Sequence, residues 1–154
     1  MRLALYQPDI PQNAGTIMRL AACLGVALDV VEPAGFDASD RNLRRAGLDY
    51  LERLELRRHV SFAAFQEWRH DAGHRLVLAT TRGSIHYADF TFLPTDILML
   101  GRESAGVPEA VHTAADARVF VPMRPGLRSL NVAVTAAMML GEALRQTGGF
   151  PAPP

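Results

Sequence analysis

Apolar residues along this chain fall into short β-branched or leucine-rich runs, separated by longer segments with helical spacing. Arg2 to Tyr6, Ala27 to Val31, Glu55 to Val60, Arg75 to Thr80, Asp96 to Leu100 and Val119 to Met123 read as strands. Gln7 to Gln12, with prolines at 8 and 11, reads as a rigid loop before a helix from Asn13 to Leu24 that stops at Gly25. Asp40 to Ala46 reads as a short arginine-rich helix stopped by Gly47, and Ser61 to His70 as a helix capped by Ser61. Pro108 to Ala114 is helical with proline in its first turn. Strands alternating with helices predict an α/β fold with a mainly parallel sheet. The pattern contains no repeat and no linker, so residues 1–154 read as a single domain with a frayed tail at 148–154.

The stretch from Val119 to Arg145 organises this pattern. A buried strand closed by Pro122 leads into Arg124-Pro125-Gly126-Leu127-Arg128, a turn with two arginines. Ser129 stands where an N-cap belongs, and Leu130 to Leu144 is apolar almost all round. A helix with no polar face must be covered on every side, which predicts a central position or a subunit interface. The loop from Met123 to Ser129 joins a strand's carboxyl end to a helix start, where open α/β sheets bind ligands.

Composition narrows the possibilities. Sixteen basic residues balance sixteen acidic ones, so no global field advertises nucleic acid, and every basic residue is arginine. Arg41, Arg44, Arg45, Arg53, Arg57 and Arg58 form a basic cluster, either a solvated face or, with Arg124 and Arg128, a local phosphate track. A lone cysteine, Cys23, cannot form an internal disulfide, which fits a reducing cytoplasm. The N-terminus is too soon broken by Pro8 to read as a secretory signal, and no apolar run is long enough to cross a bilayer.

Arg19 is the most informative residue. It is the only charge between Ile10 and Leu28, in a helix otherwise built from apolar side chains. A buried guanidinium needs a partner, so it either pairs with a core carboxylate or forms an anion site facing a cleft or a second subunit. Asn13 reads as a helix cap or a ligand contact. Leu98 to Pro108 runs a buried strand into a loop with Gly101, Glu103 and Gly106, and Thr80-Thr81-Arg82-Gly83 closes another strand in the same manner. The first strand lacks a G-x-G-x-x-G turn and there is no Walker A sequence. The five histidines are scattered without metal-ligand spacing, and Ser129 stands outside any G-x-S-x-G elbow.

Three ordered blocks resemble the SPOUT class of RNA methyltransferases, in its TrmH-like tRNA ribose 2′-O-methyltransferase branch. They are Asn13-Ala14-Gly15-Thr16-Ile17-Met18-Arg19, Leu100-Gly101-Arg102-Glu103-Ser104-Ala105-Gly106, and Val121-Pro122-Met123 through Ser129-Leu130-Asn131. Tyr6 to Pro11 and Arg44 to Tyr50 are similar to the compact wobble-nucleotide enzymes of that branch (the TrmL type). The resemblance implies a deep C-terminal trefoil knot, an exception to the usual rule against knots, and a homodimer packed through the first and last helices. It implies S-adenosylmethionine, without metal, held largely by backbone at Ala79, Gly101, Val121, Met123 and Leu130, with Thr80, Glu103, Pro122 and Ser129 beside it. It further implies a cytoplasmic enzyme that methylates the 2′-hydroxyl of tRNA nucleotide 34. Arg19, Asn13, Glu103, Ser129 and Asn131 would carry the reaction, with Asn13 and Arg19 reaching across from the partner subunit. Family proposals make Arg19 the base. Since arginine stays protonated, a grip on a tRNA phosphate is the better expectation. Methylation of another RNA site, or a non-catalytic RNA- or adenosine-binding dimer, are the competing readings.

Overall fold

The computed structural model describes residues 1–36 and 50–152. The expected helix over 40–46, and Arg41, Arg44 and Arg45 of the basic cluster, lie outside the described residues. Seven parallel strands form one sheet in the order β3-β2-β1-β6-β4-β7-β5. The strands are β1 (Arg2–Tyr6), β2 (Ala27–Val31), β3 (Leu56–His59), β4 (Leu76–Ala79), β5 (Ile85–His86), β6 (Ile97–Leu100) and β7 (Ala117–Phe120). The helices are α1 (Pro11–Leu24), α2 (Phe62–Asp71), α3 (Glu109–Ala114) and α4 (Val132–Thr147).

Both faces of the sheet are covered, which is why the central strands read as unbroken apolar runs. Leu3, Leu5, Leu28, Val77 and Leu98 pack against Ile17 and Ala21 of α1 and Met139, Leu140 and Leu144 of α4. Ala4, Tyr6, Leu76, Leu78 and Met99 point the other way, onto Phe65 of α2 and Val111 of α3. The chain leaves β1 toward β2 and β3, then places β6 on the other side of β1. The carboxyl ends of β1, β6 and β4 therefore meet at the point where the strand order reverses.

Four expectations change in detail. α1 begins at Pro11 rather than Asn13, because proline fits the first helical position, where no backbone N–H is needed. The last strand spans Ala117–Phe120 rather than 119–123: its ladder with β4 ends at Val119 and that with β5 at Phe120, so Val121 to Met123 leave the sheet. The cap of α4 is Asn131, not Ser129, and its side chain accepts from the N–H groups of Ala133 and Val134 at 2.8 and 3.2 Å. Within the chain itself α4 is not fully buried: Val134 and Met138 are 49% and 38% exposed along one stripe, which leaves the subunit-interface alternative. β5, two residues at the sheet edge, was too short to leave a periodic signal.

Candidate active site

A cavity of about 570 Å³ opens at the carboxyl ends of β4 and β6, a volume typical of small-molecule sites. Ala79 ends β4 and Thr80 follows it, Gly101 and Glu103 follow β6, and Val121, Met123, Ser129 and Leu130 come from the segment between β7 and α4. Asn13 and Asn131 enter from the starts of α1 and α4. These expected site residues therefore share one cavity. Pro122 and Arg19 are not in its wall.

The polar groups form a chain whose direction is set by the cap of α4. Because Asn131 Oδ1 accepts the helix N–H groups, its amide nitrogen must be the donor on the other side. Asn131 Nδ2 donates to Asn13 Oδ1 at 2.9 Å, and Asn13 Nδ2 donates to Glu103 Oε1 at 3.1 Å. The amide assignments, ambiguous in isolation, are fixed by this order. Asn13 thus lies in the cavity wall of its own chain, hydrogen-bonded to Glu103.

Glu103 sits on a loop closed on itself. Arg102 and Gly106 exchange backbone hydrogen bonds of 3.2 and 2.8 Å. A Cβ on Gly101 would stand 2.9 Å from the carbonyl carbon of Gly106, so only glycine lets the two strands of the loop approach. Burial, then the adjoining Asp9 carboxyl, push the Glu103 carboxyl above its ordinary range, and the Asn13 hydrogen bond only partly offsets them. At Asp9 burial acts the same way but is outweighed by hydrogen bonds from Glu103 and Ser104, which hold its carboxyl down at about 2.

Arg19 lies on the exposed side of α1, not buried among the apolar residues that flank it in sequence. It donates to Tyr50 Oη at 3.2 Å and lies over the Tyr50 ring at 4.6 Å. Among the described residues, the buried carboxylates are engaged elsewhere: Asp29 binds Arg2 and His59, and Asp96 binds Arg75. The helix period had placed Arg19 on an apolar segment, and only the packing reveals that it occupies the outer face.

Sequence reasoning missed Arg82, Arg102 and His112, all in the cavity wall. Arg82 pairs with Glu109 at 3.0 Å across the rim. His112 is buried, and its Nδ1 has no hydrogen-bond partner. Burial, followed by Arg82, pushes its pKa down, so the imidazole is neutral at pH 7. Nothing in the spacing of the five histidines marked this one. Among the described residues, no group of three or more His, Cys, Asp or Glu side chains gathers as a metal would require, and no helix is long and apolar enough to cross a membrane.

Comparison with known proteins bears on this geometry. Residues 1–141 match the SpoU rRNA methylase family. The chain is 67% identical over 148 residues to the tRNA (cytidine(34)-2′-O)-methyltransferase of Beijerinckia indica, spanning 96% of this chain and 92% of that one. It is 38% identical over 150 residues to the Escherichia coli K12 protein of the same name, spanning 96% and 94%. A solved structure described as giving insights into the 2-OH methylation of C/U34 on tRNA superposes with a TM-score of 0.89 at 43% identity, covering 94% of each chain. The SpoU methyltransferase AviRb of Streptomyces viridochromogenes, solved with AdoMet, superposes with a TM-score of 0.86 at 33% identity, covering 95% of this chain and 57% of that one.

Proposed function

The chain belongs to the SpoU rRNA methylase family, and from that premise we propose that it methylates the ribose 2′-hydroxyl of nucleotide 34 of tRNA, using S-adenosylmethionine. The observation that carries this reading is the convergence of Asn13, Glu103, Ser129 and Asn131 on one cavity at the carboxyl ends of the central strands. The names of the relatives supply the substrate. The cavity fits the methyl donor in size, in the apolar wall made by Leu100, Val121 and Met139, and in the buried, unpartnered Nδ1 of His112.

S-adenosylmethionine, when bound, would supply an electrophilic methyl group on a sulfonium, with a neutral thioether as the leaving group. Glu103, Asn13 and Asn131 hold the reacting groups in line, as such a displacement requires. A ribose hydroxyl is a weak acid and must lose its proton as the methyl arrives. Arg19 remains cationic, so it grips a tRNA phosphate, and a phosphate oxygen or a water accepts that proton. Ser129, exposed on the loop before α4, orients the substrate.

The reading extends to a homodimer. Val134 and Met138 on α4, with Ile10 and Leu130 at the cavity mouth (each 39% exposed), form apolar surface that a second copy would cover. Arg19, outside the cavity of its own chain, then serves the cavity of the other protomer. The C-terminal trefoil knot belongs to this reading too: after β7, beyond β4, the chain returns through 121–131 to lay α4 on α1. A cytoplasmic location follows from the tRNA substrate.

The direct test is incubation of purified protein with labelled S-adenosylmethionine and unmodified tRNA transcripts, followed by nucleoside mapping. Label on the ribose of nucleotide 34 is the expected result; label elsewhere, or none, rejects the assignment. Arg19→Lys keeps the charge and loses the planar fork, so methylation should fall at least about tenfold, and a near wild-type rate would remove the phosphate grip.

A further inference from the structure

Asp9 has no role in the reaction as described, yet its contacts are among the most constrained in the molecule. Its Oδ1 accepts the Glu103 N–H at 3.0 Å, and its Oδ2 accepts the Ser104 N–H at 3.3 Å and the Ser104 hydroxyl. Its own N–H points back to Glu103 Oε2 at 3.5 Å. The segment that presents it is fixed from three sides. Gln7, a non-glycine residue, adopts φ +44°, a left-handed conformation that persists only where surroundings enforce it. Val31 O accepts from Gln7 N at 2.9 Å, and Pro8 O accepts from Gly35 N at 2.8 Å. Gly35 lies so close that a Cβ there would stand 3.0 Å from Asp9 Cα.

We infer that Asp9 is a positioning residue: its carboxylate fastens the Gly101–Gly106 loop to the β1–α1 loop and stands against the Glu103 carboxyl. The inference rests on the reading of the cavity as the methyl-donor site. The chain of donors from Asn131 through Asn13 ends at Glu103, and Asp9 is where Glu103 itself is held. The charged groups that bear on Glu103 are Asp9 from the β1–α1 loop, Arg102 beside it, and Arg82 and Arg128 in the cavity wall, where the titratable His112 also lies. Of these, Asp9 alone among the described residues bonds the Glu103–Ser104 backbone directly. Its own carboxyl is held down at about 2, while burial first and then this neighbour push the Glu103 carboxyl above the ordinary carboxylate range.

Carboxyl-carbon NMR titration of the full-length protein tests this without reference to activity, with the Glu103 signal assigned by its loss in Glu103→Gln. In Asp9→Asn, nearly the same shape without the charge, the Glu103 midpoint should fall toward the ordinary carboxylate value. In parallel, Asp9→Ala should lower kcat/KM for tRNA methylation by about ten- to a hundredfold, as misplacement of a positioned group does, and Asp9→Glu should recover part of it. An unmoved Glu103 midpoint in Asp9→Asn, or a wild-type rate in Asp9→Ala, overturns the inference. If the protein methylates no RNA at all, the titration still decides the role of Asp9, while the failure falls on the function.

Discussion

In the body of the sheet and before its strands begin, polar side chains are paired with one another, whereas in the loops at the carboxyl ends of β4 and β6 they are part-exposed and strung in one direction. Asp29 is wholly buried between Arg2 Nε and His59 Nε2, each at 2.8 Å, and Asp96 is wholly buried against Arg75 at 2.7 Å. Asp116 accepts both from Arg69 at 2.8 Å and from the Leu76 N–H. Even the one unpartnered buried nitrogen of Arg2 belongs to a guanidinium lying 5.2 Å from the centre of the Trp68 ring. These groups spend most of their bonding capacity on one another. Asn131, Asn13 and Glu103 have capacity left over, on loops and helix starts that border a cavity. Completeness of pairing, more than residue type, separates a structural polar cluster from a chemical one in this molecule.

The strongest test of that separation is Asp29→Ala. Removing the carboxylate strands Arg2 and His59 in a buried site and should lower the unfolding free energy by about 3–5 kcal/mol in a urea titration. The protein that remains folded should methylate at its normal rate. A loss of rate larger than the loss of folded protein would show that the two regions are coupled and break the comparison.

Asn131→Asp tests the other region. The aspartate keeps an oxygen for the α4 N–H groups, so stability should stay within about 0.5 kcal/mol of wild type. It has no donor for Asn13 Oδ1, so the chain loses its direction and the rate should fall about tenfold, a loss comparable to one neutral hydrogen bond. Asn131→Ala should lose both, including about 1 kcal/mol for the cap. Equal rates in the aspartate and wild-type proteins would show that the orientation of the chain is incidental.

The smallest effect is in the pH dependence of stability. Glu103 has a raised carboxyl pKa, so its contribution is complete below the unfolded value and is lost as pH rises through the folded one. Asp9, held at about 2, behaves oppositely: its contribution is present above the unfolded value and lost as pH falls toward about 2. Glu103→Gln should therefore gain stability relative to wild type as pH is raised beyond the carboxylate range. Parallel curves from pH 4 to pH 8 would remove Glu103 from the list of perturbed groups.

Much of this was legible in the chain itself. The apolar runs at Leu3–Leu5, Leu28–Val31, Leu76–Leu78 and Ile97–Leu100 identified buried parallel strands because both faces of each are covered. The three glycine- and proline-bearing turns marked the loops that build the cavity. The boundary errors came where local signals competed. Ser129 and Asn131 are both competent caps, and Leu130 lines the cavity instead of opening the helix. Val121 to Met123 have strand composition but no neighbouring strand to bond.

The sequence by itself determined the alternation of strands and helices, the identity of the three loops and the residues able to carry chemistry, since each depends on local periodicity and side-chain type. Tertiary structure alone decided that Arg19 faces outward, that Asn13 meets Glu103, that His112 is buried in the cavity wall, and that Asp9 meets Glu103 across 94 positions of sequence. Those facts depend on which elements pack together, and no local pattern encodes a contact between segments so far apart.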